Sequence, residues 1–567
     1  MRTGGARRAT SVRLTLAIVM TAAFVQLIDV SIVNVAIPSI QRELHASSAA
    51  IQLVVAGYLL AFATALVTGA RLGDIFGRRR LFVVGMVGFT AASAACGAAP
   101  DVTVLVVARV VQGACSALMY PQVLSVIQVS VPAEQRGRAF GILGGVIGSA
   151  LILGPVLGGL LISADIGGWT WRSIFYVNVP IGVLAALAAH RRLPESTAPD
   201  APGLDLGGAV LGAGAVFLVV YPLVQGRQDG WPVWGWTMLG ASAVLFIVFA
   251  AYERRRSIAE RHPIVDASLA RDRAFVTGTL LVFVFFAGLP ALLFALSQYL
   301  QLGYGFSALV AGLTVLPYAA GELASSIGSN RATERLGRRV LTLGVAVVVA
   351  GVAGLLLVVH AVGNDLAAVD LAGVLVVAGV GLGLFIPPVT STVLAGIHSR
   401  AAGAASGVLA TVQQVGGALG VALVGVVLYG ALGSFAPAAA TVAAGQLRAD
   451  MRAAGLSPAV MRSVTASFRS CLLEHHPDSA GSALLGASPT TCTGAGADPG
   501  SVALPGGTRR TVAAAVDRAT VRWRALDFRH AFEWALVYEL VVFTTAGLLT
   551  LTLPAVRAGP RTPAPSL

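Results

Sequence analysis

The sequence predicts an all-α, polytopic membrane protein with fourteen helical spans, and three observations carry the prediction. Of 567 residues, 56% are hydrophobic and 11% charged, where soluble domains carry roughly 25% charged residues. Several soluble domains of this total length would need a polar surface that such a composition lacks, so the bilayer must be the solvent. Apolar runs of about 20 residues, enough to cross ~30 Å of hydrocarbon, recur along the chain. One arginine-rich turn also occurs twice. The formal charge of +13 lies in short clusters between apolar runs, not on one patch or arm, which excludes a nucleic-acid partner. All 39 basic residues are arginine, and a phosphate-binding loop ending in Gly-Lys-Ser/Thr is therefore excluded, and nucleotide-driven pumping by this chain with it.

The apolar runs are read in order. The first, 14–40, carries Asp29 and Asn34. It is too long for a cleaved signal peptide and no Ala-x-Ala site follows it, so it is expected to stay in the mature protein. Runs at 51–68 and 81–99 flank the first arginine-rich turn, and 102–127 carries Arg109 and Gln112. The run at 139–162 holds the small-xxx-small pairs Gly141/Gly145, Gly144/Gly148 and Gly154/Gly158, with Pro155 removing one backbone hydrogen bond, a pattern suited to close helix packing. Next come 174–189, then 206–224 and 236–251, then 275–300. Glu322 follows Leu316-Pro317 in 309–327; beyond 340–360 and 371–394, Gln413 lies in 403–429 and Glu539 in 532–553.

Arginines are retained on the cytoplasmic side of short loops. With the amino terminus inside, twenty-five arginines fall in cytoplasmic segments and only Arg42, Arg172 and Arg227 in short external ones. All seven tryptophans fall on the expected outer side or its interface, which agrees. The long segment 431–531 is then extracytoplasmic. Its Cys471 and Cys492 could form a disulfide there, worth about 3 kcal/mol by chain entropy, or remain two thiols. Ser457-Pro458 looks like a helix start, with Val460, Val464, Phe468 and Leu472 at helical spacing; a surface excursion is expected. No histidine, cysteine or carboxylate spacing suits a metal, and no catalytic triad stands out.

Residues 69–81 read Gly-Ala-Arg-Leu-Gly-Asp-Ile-Phe-Gly-Arg-Arg-Arg-Leu, and 329–341 read Ser-Asn-Arg-Ala-Thr-Glu-Arg-Leu-Gly-Arg-Arg-Val-Leu. Asp74 meets Glu334, Gly77 meets Gly337, and Arg78 and Arg79 meet Arg338 and Arg339. The repeat follows the second run and again the tenth, so two six-helix halves are expected with a helix pair inserted between them. The expected division is an amino-terminal tail 1–13, a first bundle 14–190, a linker with the extra pair 191–273, a second bundle 274–430 with 532–553, the external segment 431–531, and a tail 554–567. Parallel halves of this kind rock about a midplane site.

Motifs in order carry a resemblance. They are Leu27-Ile28-Asp29-Val30-Ser31-Ile32-Val33-Asn34-Val35-Ala36-Ile37-Pro38, the glycine- and arginine-rich turn 69–80, and Arg109-Val110-Val111-Gln112-Gly113. Then follow Gly154-Pro155-Val156-Leu157-Gly158-Gly159, Trp171-Arg172-Ser173-Ile174-Phe175 with Asn178-Val179-Pro180, and Gln413-Gln414-Val415-Gly416-Gly417-Ala418-Leu419-Gly420. Over nearly its whole length the chain resembles the major facilitator superfamily, in its fourteen-helix drug:proton antiporter branch. The resemblance implies a major facilitator fold and no cofactor beyond the proton gradient. It also implies a multi-pass protein of the bacterial inner membrane with both termini cytoplasmic, working as a monomer on small molecules.

The residues themselves suggest roles. A carboxylate inside a span costs roughly 2.5 to 3.5 kcal/mol on insertion scales, so Asp29 needs a partner; Arg109 lies at matching depth in an antiparallel span, with Gln112 one turn along. Burial disfavours the charged acid and the guanidinium favours it, so moving one against the other makes a proton switch. Asn34, Glu322, Gln413 and Glu539 are candidates for contact with cargo. Gly73, Asp74, Gly77, Arg78, Arg79, Glu334 and Arg338 are candidates for a cytoplasmic gate whose ion pairs form and break between the halves. Gly154, Pro155, Gly158 and Gly159 match the segment that marks antiporters in the family, which favours export over uptake. Expected cargo is lipophilic, cationic or neutral; the alternatives are an exporter of an endogenous metabolite, an uptake symporter, or a membrane receptor with a ligand-binding external segment.

Overall fold

In hydrocarbon no water completes the backbone's hydrogen bonds, so each apolar run closes them internally as a helix. The computed structural model describes residues 2–197, 205–226, 230–258, 272–363, 366–394, 402–474 and 506–553. The first half comprises α1 (Arg2–Leu44), α2 (Ser48–Phe76), α3 (Arg78–Gly97), α4 (Val102–Ser130), α5 (Ala133–Ala164) and α6 (Asn178–Arg192), the last entered through a single turn at Ser173–Tyr176. The inserted pair is α7 (Leu206–Gln225) and α8 (Val233–Ile258). The second half comprises α9 (Arg273–Gln298), α10 (Ala308–Leu336), α11 (Arg339–Val362), α12 (Ala372–Leu394), α13 (Ala402–Ala453) and α15 (Gly506–Thr552), with α14 (Pro458–Glu474) between the last two. Among the described residues thirteen spans are long and apolar enough to cross a membrane. The fourteenth is α5, 32 residues long, whose described apolar stretch is Leu153–Ala164. Val84, Val107, Leu184 and Ile247 are each more than half exposed, the apolar outer face that lipid covers.

The two halves repeat each other in detail. Helix α1 packs on α5 as α9 does on α13, α2 on α4 as α10 on α12, and α3 on α4 and α6 as α11 on α12 and α15. Ser47 Oγ accepts from Ala50 N at the start of α2, and Ser307 Oγ accepts from Val310 N at the start of α10, each satisfying an amide that the helix leaves unbonded. Both helices are 29 residues long. Both end on a glycine at positive φ, Gly77 at 108° and Gly337 at 55°, a backbone that side chains rarely tolerate. The arginine-rich turn is thus duplicated together with its cap and its length. Backbones also approach closely in both halves: a Cβ on Gly113 would sit 2.3 Å from Tyr58 O, and one on Gly379 1.8 Å from Tyr318 O. In a membrane such packing replaces the hydrophobic effect between helices.

The halves meet along α2 with α13 and α5 with α10. Their contacts include Gln52 at Gly425, Leu59 at Gly417, Pro155 at Gly312 and Gly159 at Leu309, and Ser297 Oγ donates to Asn34 O at 2.6 Å. These lie towards the end away from the arginine-rich turns, called the basic end below.

In its described residues the segment 431–531 forms a helical body that includes the helix expected at Ser457-Pro458. Helix α13 runs for 52 residues and α15 for 47, so each passes well beyond its apolar run. With α14 they close a separate core of Leu447 and Met451, Val464, Phe468 and Leu472, and Val512, Val516 and Trp523. The spacing read from Val460 to Leu472 is the face that α14 buries there. Arg518 and Arg522 reach Asp450 at 3.4 and 3.5 Å. Cys471 is buried in this core, while Cys492 lies outside the described residues.

Candidate functional site

Three elements of the first half converge on Asp29. Its position in the middle of α1 places the carboxyl against α4, where Arg109 and Gln112, one turn apart, face the same way, and against the first turn of α6. Arg109 Nη1 donates to Asp29 Oδ2 at 2.6 Å and to Gln112 Oε1 at 2.7 Å. Gln112 Nε2 and Asn178 Nδ2 donate to Asp29 Oδ1 at 2.8 and 2.9 Å. Asn178 also donates to Ser93 Oγ at 3.1 Å, and Arg109 Nε to Val54 O at 3.2 Å. The guanidinium lies 4.2 Å from the centre of the Tyr58 ring, a cation–π contact that strengthens when water is absent. Asp29 and Gln112 are 0% exposed and Arg109 2%. The carboxylate therefore takes three donors, one of them charged, in a closed site. Breaking such a buried pair costs about 3 to 5 kcal/mol when one partner is left bare.

Sequence reasoning paired Asp29, Arg109 and Gln112 and missed Asn178, Tyr58 and Ser93. A signal for Asn178 was present: it stands in a quoted motif, as an amide at the mouth of an apolar run. Tyr58 carried none, being one aromatic among many.

Among the described residues the second half shows no such buried pair. Glu539 on α15 is 0% exposed, and neither carboxyl oxygen has a hydrogen-bond partner among the described residues. It faces α9 at Gly288, where a Cβ would sit 2.7 Å from Oε2. Beside it Phe285 stacks on Phe385 with ring centres 3.9 Å apart and meets Phe543 edge-on. Glu322 on α10 is 8% exposed, and Tyr318 lies within electrostatic reach of both acids. Asn34 lies apart from these groups, at the contact of α1 with α9. Gln413 is half-buried on α13.

The remaining motif residues occupy seams. A Cβ on Gly154 would meet Ser31 Oγ at 1.8 Å, and one on Gly158 the Ile32 side chain at 2.8 Å, both on α1. One on Gly159 would meet the backbone of Leu309, across the boundary between halves, at 2.5 Å. In the arginine-rich turn Gly73 makes room for Gln122, and Asp74 pairs with Arg78 at 2.7 Å within its own turn. Arg79 and Arg80 lie 3.5 and 3.6 Å from Glu195, which was not singled out in the sequence. In the second turn Arg338 donates to the Leu553 carbonyl, and Glu334 is exposed. Among the described residues no ion pair joins the two turns: Asp74, Arg79 and Arg80 pair within the first half, and Arg338 meets a carbonyl of the second.

The chain matches the Major Facilitator Superfamily profile over residues 19–421. It is 38% identical over 460 residues to the probable actinorhodin transporter of Streptomyces coelicolor, covering 81% of this chain and 80% of that protein. It is 34% identical over 419 residues to the tetracenomycin C resistance and export protein of Streptomyces glaucescens, covering 72% and 74%. Among solved structures, a bacterial homologue of the human lysosomal transporter Spinster superposes with a TM-score of 0.55 at 16% identity, covering 96% of this chain and 98% of that one; the likeness is one of fold. With a repeated six-helix bundle, a profile match across most of its length and relatives of this similarity, the chain belongs to the major facilitator superfamily of transporters, in the fourteen-helix branch related to drug efflux and resistance proteins.

Proposed function

We propose that this protein exports lipophilic, cationic or neutral small molecules in exchange for protons. The observation that carries the reading is the closed Asp29–Arg109 pair. A buried carboxylate balanced by one guanidinium parts from it at low cost only if a proton takes the guanidinium's place, so loading Asp29 and loosening α1 from α4 are one event. Glu539 is the complement. A buried carboxyl without a partner is unstable as an anion, so it is stable while it holds a proton or faces a cation, and arriving cationic cargo would supply the charge. The relatives named for actinorhodin transport and for tetracenomycin C resistance and export support the outward direction, as does the antiporter segment seated on the α1 and α10 seams.

In this reading the basic end is cytoplasmic, both termini are inside, and the helical body of α13 to α15 stands outside. The protein acts as a monomer in a bacterial inner membrane. The contacts named between halves then lie on the outer side, as in a transporter closed to the exterior. The gate residues around Asp74 and Glu334 would pair between halves once the cytoplasmic side closes.

Ethidium transport into everted vesicles tests the proposal. Uphill accumulation should follow an imposed pH gradient and vanish with Asp29→Asn at equal expression. Transport indifferent to the gradient would remove proton coupling, and an Asp29→Asn protein as active as the wild type would leave a receptor or another transport mode as the better reading.

A further inference from the structure

Beside the contact of the two halves lies an apolar cavity that the proton and cargo acids do not use. Helices α2 and α13 touch at Gln52/Gly425 and Leu59/Gly417. Towards the basic end, at Ala63 and Thr64 on one and Thr411, Val412 and Val415 on the other, a cavity of about 440 Å³ separates them, within the range of about 300 to 1,000 Å³ typical of small-molecule sites. The inserted pair covers it. The cause is written into α7: along one face, at four-residue spacing, come Gly208, Gly212, Val216, Val220 and Val224. The three valines are buried in the main core, Val216 and Val220 also lining the cavity, and the glycines, with Ala209 and Ala213, leave its volume open. The rings of Phe246 and Phe249 on α8 and Phe283 on α9 form its other walls.

Among the described residues the lining contains no charged residue, and its polar side chains are Thr64 and Thr411. The Thr64 hydroxyl donates to Ala61 O, but Thr411 Oγ1 is buried with no partner among the described residues. At the basic end the pair is tied to the first half. Asp205 caps α7 and accepts from the Tyr252 hydroxyl at 3.0 Å, with Arg256 at 3.1 Å, and Arg71 of α2 lies within electrostatic reach of Asp205 and Glu253. Helix α7 also packs on α13, so both halves contribute walls to the cavity.

We infer that this cavity binds an uncharged, flat aromatic group: the cargo, held between the inserted pair and the seam before it reaches the acids. Three phenyl rings offer faces for stacking, and Thr411 offers a hydroxyl to a carbonyl or phenol oxygen. A phospholipid fits less well, since no lining cation would hold its phosphate. The cargo assignment rests on the proposed export function; the binding site does not.

The test uses the full-length protein in lipid nanodiscs, with N-phenyl-1-naphthylamine as probe and Phe249→Trp as an energy-transfer donor, read against the wild type. The added tryptophan emission should be quenched saturably by the probe. Ala213→Phe, which fills the cavity, should weaken binding by at least about tenfold, or 1.4 kcal/mol, while Val210→Phe on the exposed face of the same helix leaves it unchanged. If Ala213→Phe lowers the melting temperature, Ala213→Leu carries the comparison. A folded cavity-filling variant that binds the probe like the wild type overturns the inference. So does quenching of the added tryptophan by bromine-labelled acyl chains that the probe fails to displace, which would identify a lipid tail. Asp29→Asn should keep probe binding while losing proton-driven transport. Binding retained alongside gradient-independent transport would sink the proton-exchange reading and leave the site standing.

Discussion

The two halves share a scaffold and differ in what they do with a buried acid. Helices α2 and α10 have the same length, the same serine cap and the same positive-φ glycine at the end. Yet Asp29 takes three donors including a guanidinium, whereas Glu539 takes none among the described residues. Duplication preserved backbone geometry, which packing enforces everywhere, and left side-chain chemistry free to diverge. In the proposed cycle one half holds a charge that is already balanced and the other holds a vacancy for one.

The largest expected effect tests that contrast. Arg109→Ala strands a buried carboxylate and should lower stability by about 3 to 5 kcal/mol, read as a drop in melting temperature in detergent. Joining Asp29→Asn to Arg109→Gln should restore much of the stability and none of the gradient-driven transport. Equal stability of the single and double variants would mean the pair is not the unit described here.

Next come the seams, which the halves also build differently. A Cβ on Gly154 would strike a side-chain hydroxyl, Ser31 Oγ, at 1.8 Å, whereas one on Gly420 would strike the backbone oxygen of Ala287 at 1.7 Å. A hydroxyl can rotate and a helix backbone cannot. Within the range of about 1 to 3 kcal/mol for overpacking, Gly420→Ala should be the costlier, and Ser31→Ala should rescue only Gly154→Ala. Thermal unfolding of the set ranks them.

A smaller effect concerns the acid without a partner. Glu539→Gln keeps shape and removes the capacity for charge. It should leave the melting temperature near the wild type and reduce transport of a monovalent lipophilic cation by about tenfold, equivalent to 1.4 kcal/mol, while a neutral dye is transported as before. Equal loss for both dyes would assign Glu539 a packing role. Smallest of all, Asp74→Asn removes a partly exposed pair four residues apart, worth about 0.3 to 0.5 kcal/mol, and Glu334→Gln should not change stability measurably. Chemical denaturation at low and high salt separates these two.

Much of this was legible before any coordinates. Hydropathy marks the spans because lipid demands it, the duplicated turn marks the halves, and antiparallel depth arithmetic pairs Asp29 with Arg109. What escaped is whatever depends on neighbours distant in sequence. The isolation of Glu539 is set by Gly288 and phenylalanines on other helices, and Glu195 beside Arg79 is set by how α6 ends. The helical body of α13 to α15 was half visible: the period from Val460 to Leu472 reveals α14. The continuations of α13 and α15 are disguised by Arg448, Arg452, Arg518, Arg522 and Arg524, because hydropathy measures fitness for lipid and not helicity.

Helices α13 and α15 both continue from the second half into the body they build with α14, so two helices join that body to this half. If the halves tilt as proposed, the body would act as a pointer mounted on one lobe, magnifying a small tilt at the bilayer into a larger displacement. A spin label or dye on the polar face of α14, paired with one near Glu43 on the opposite lobe, would read each stroke of the machine without obstructing the cargo's path.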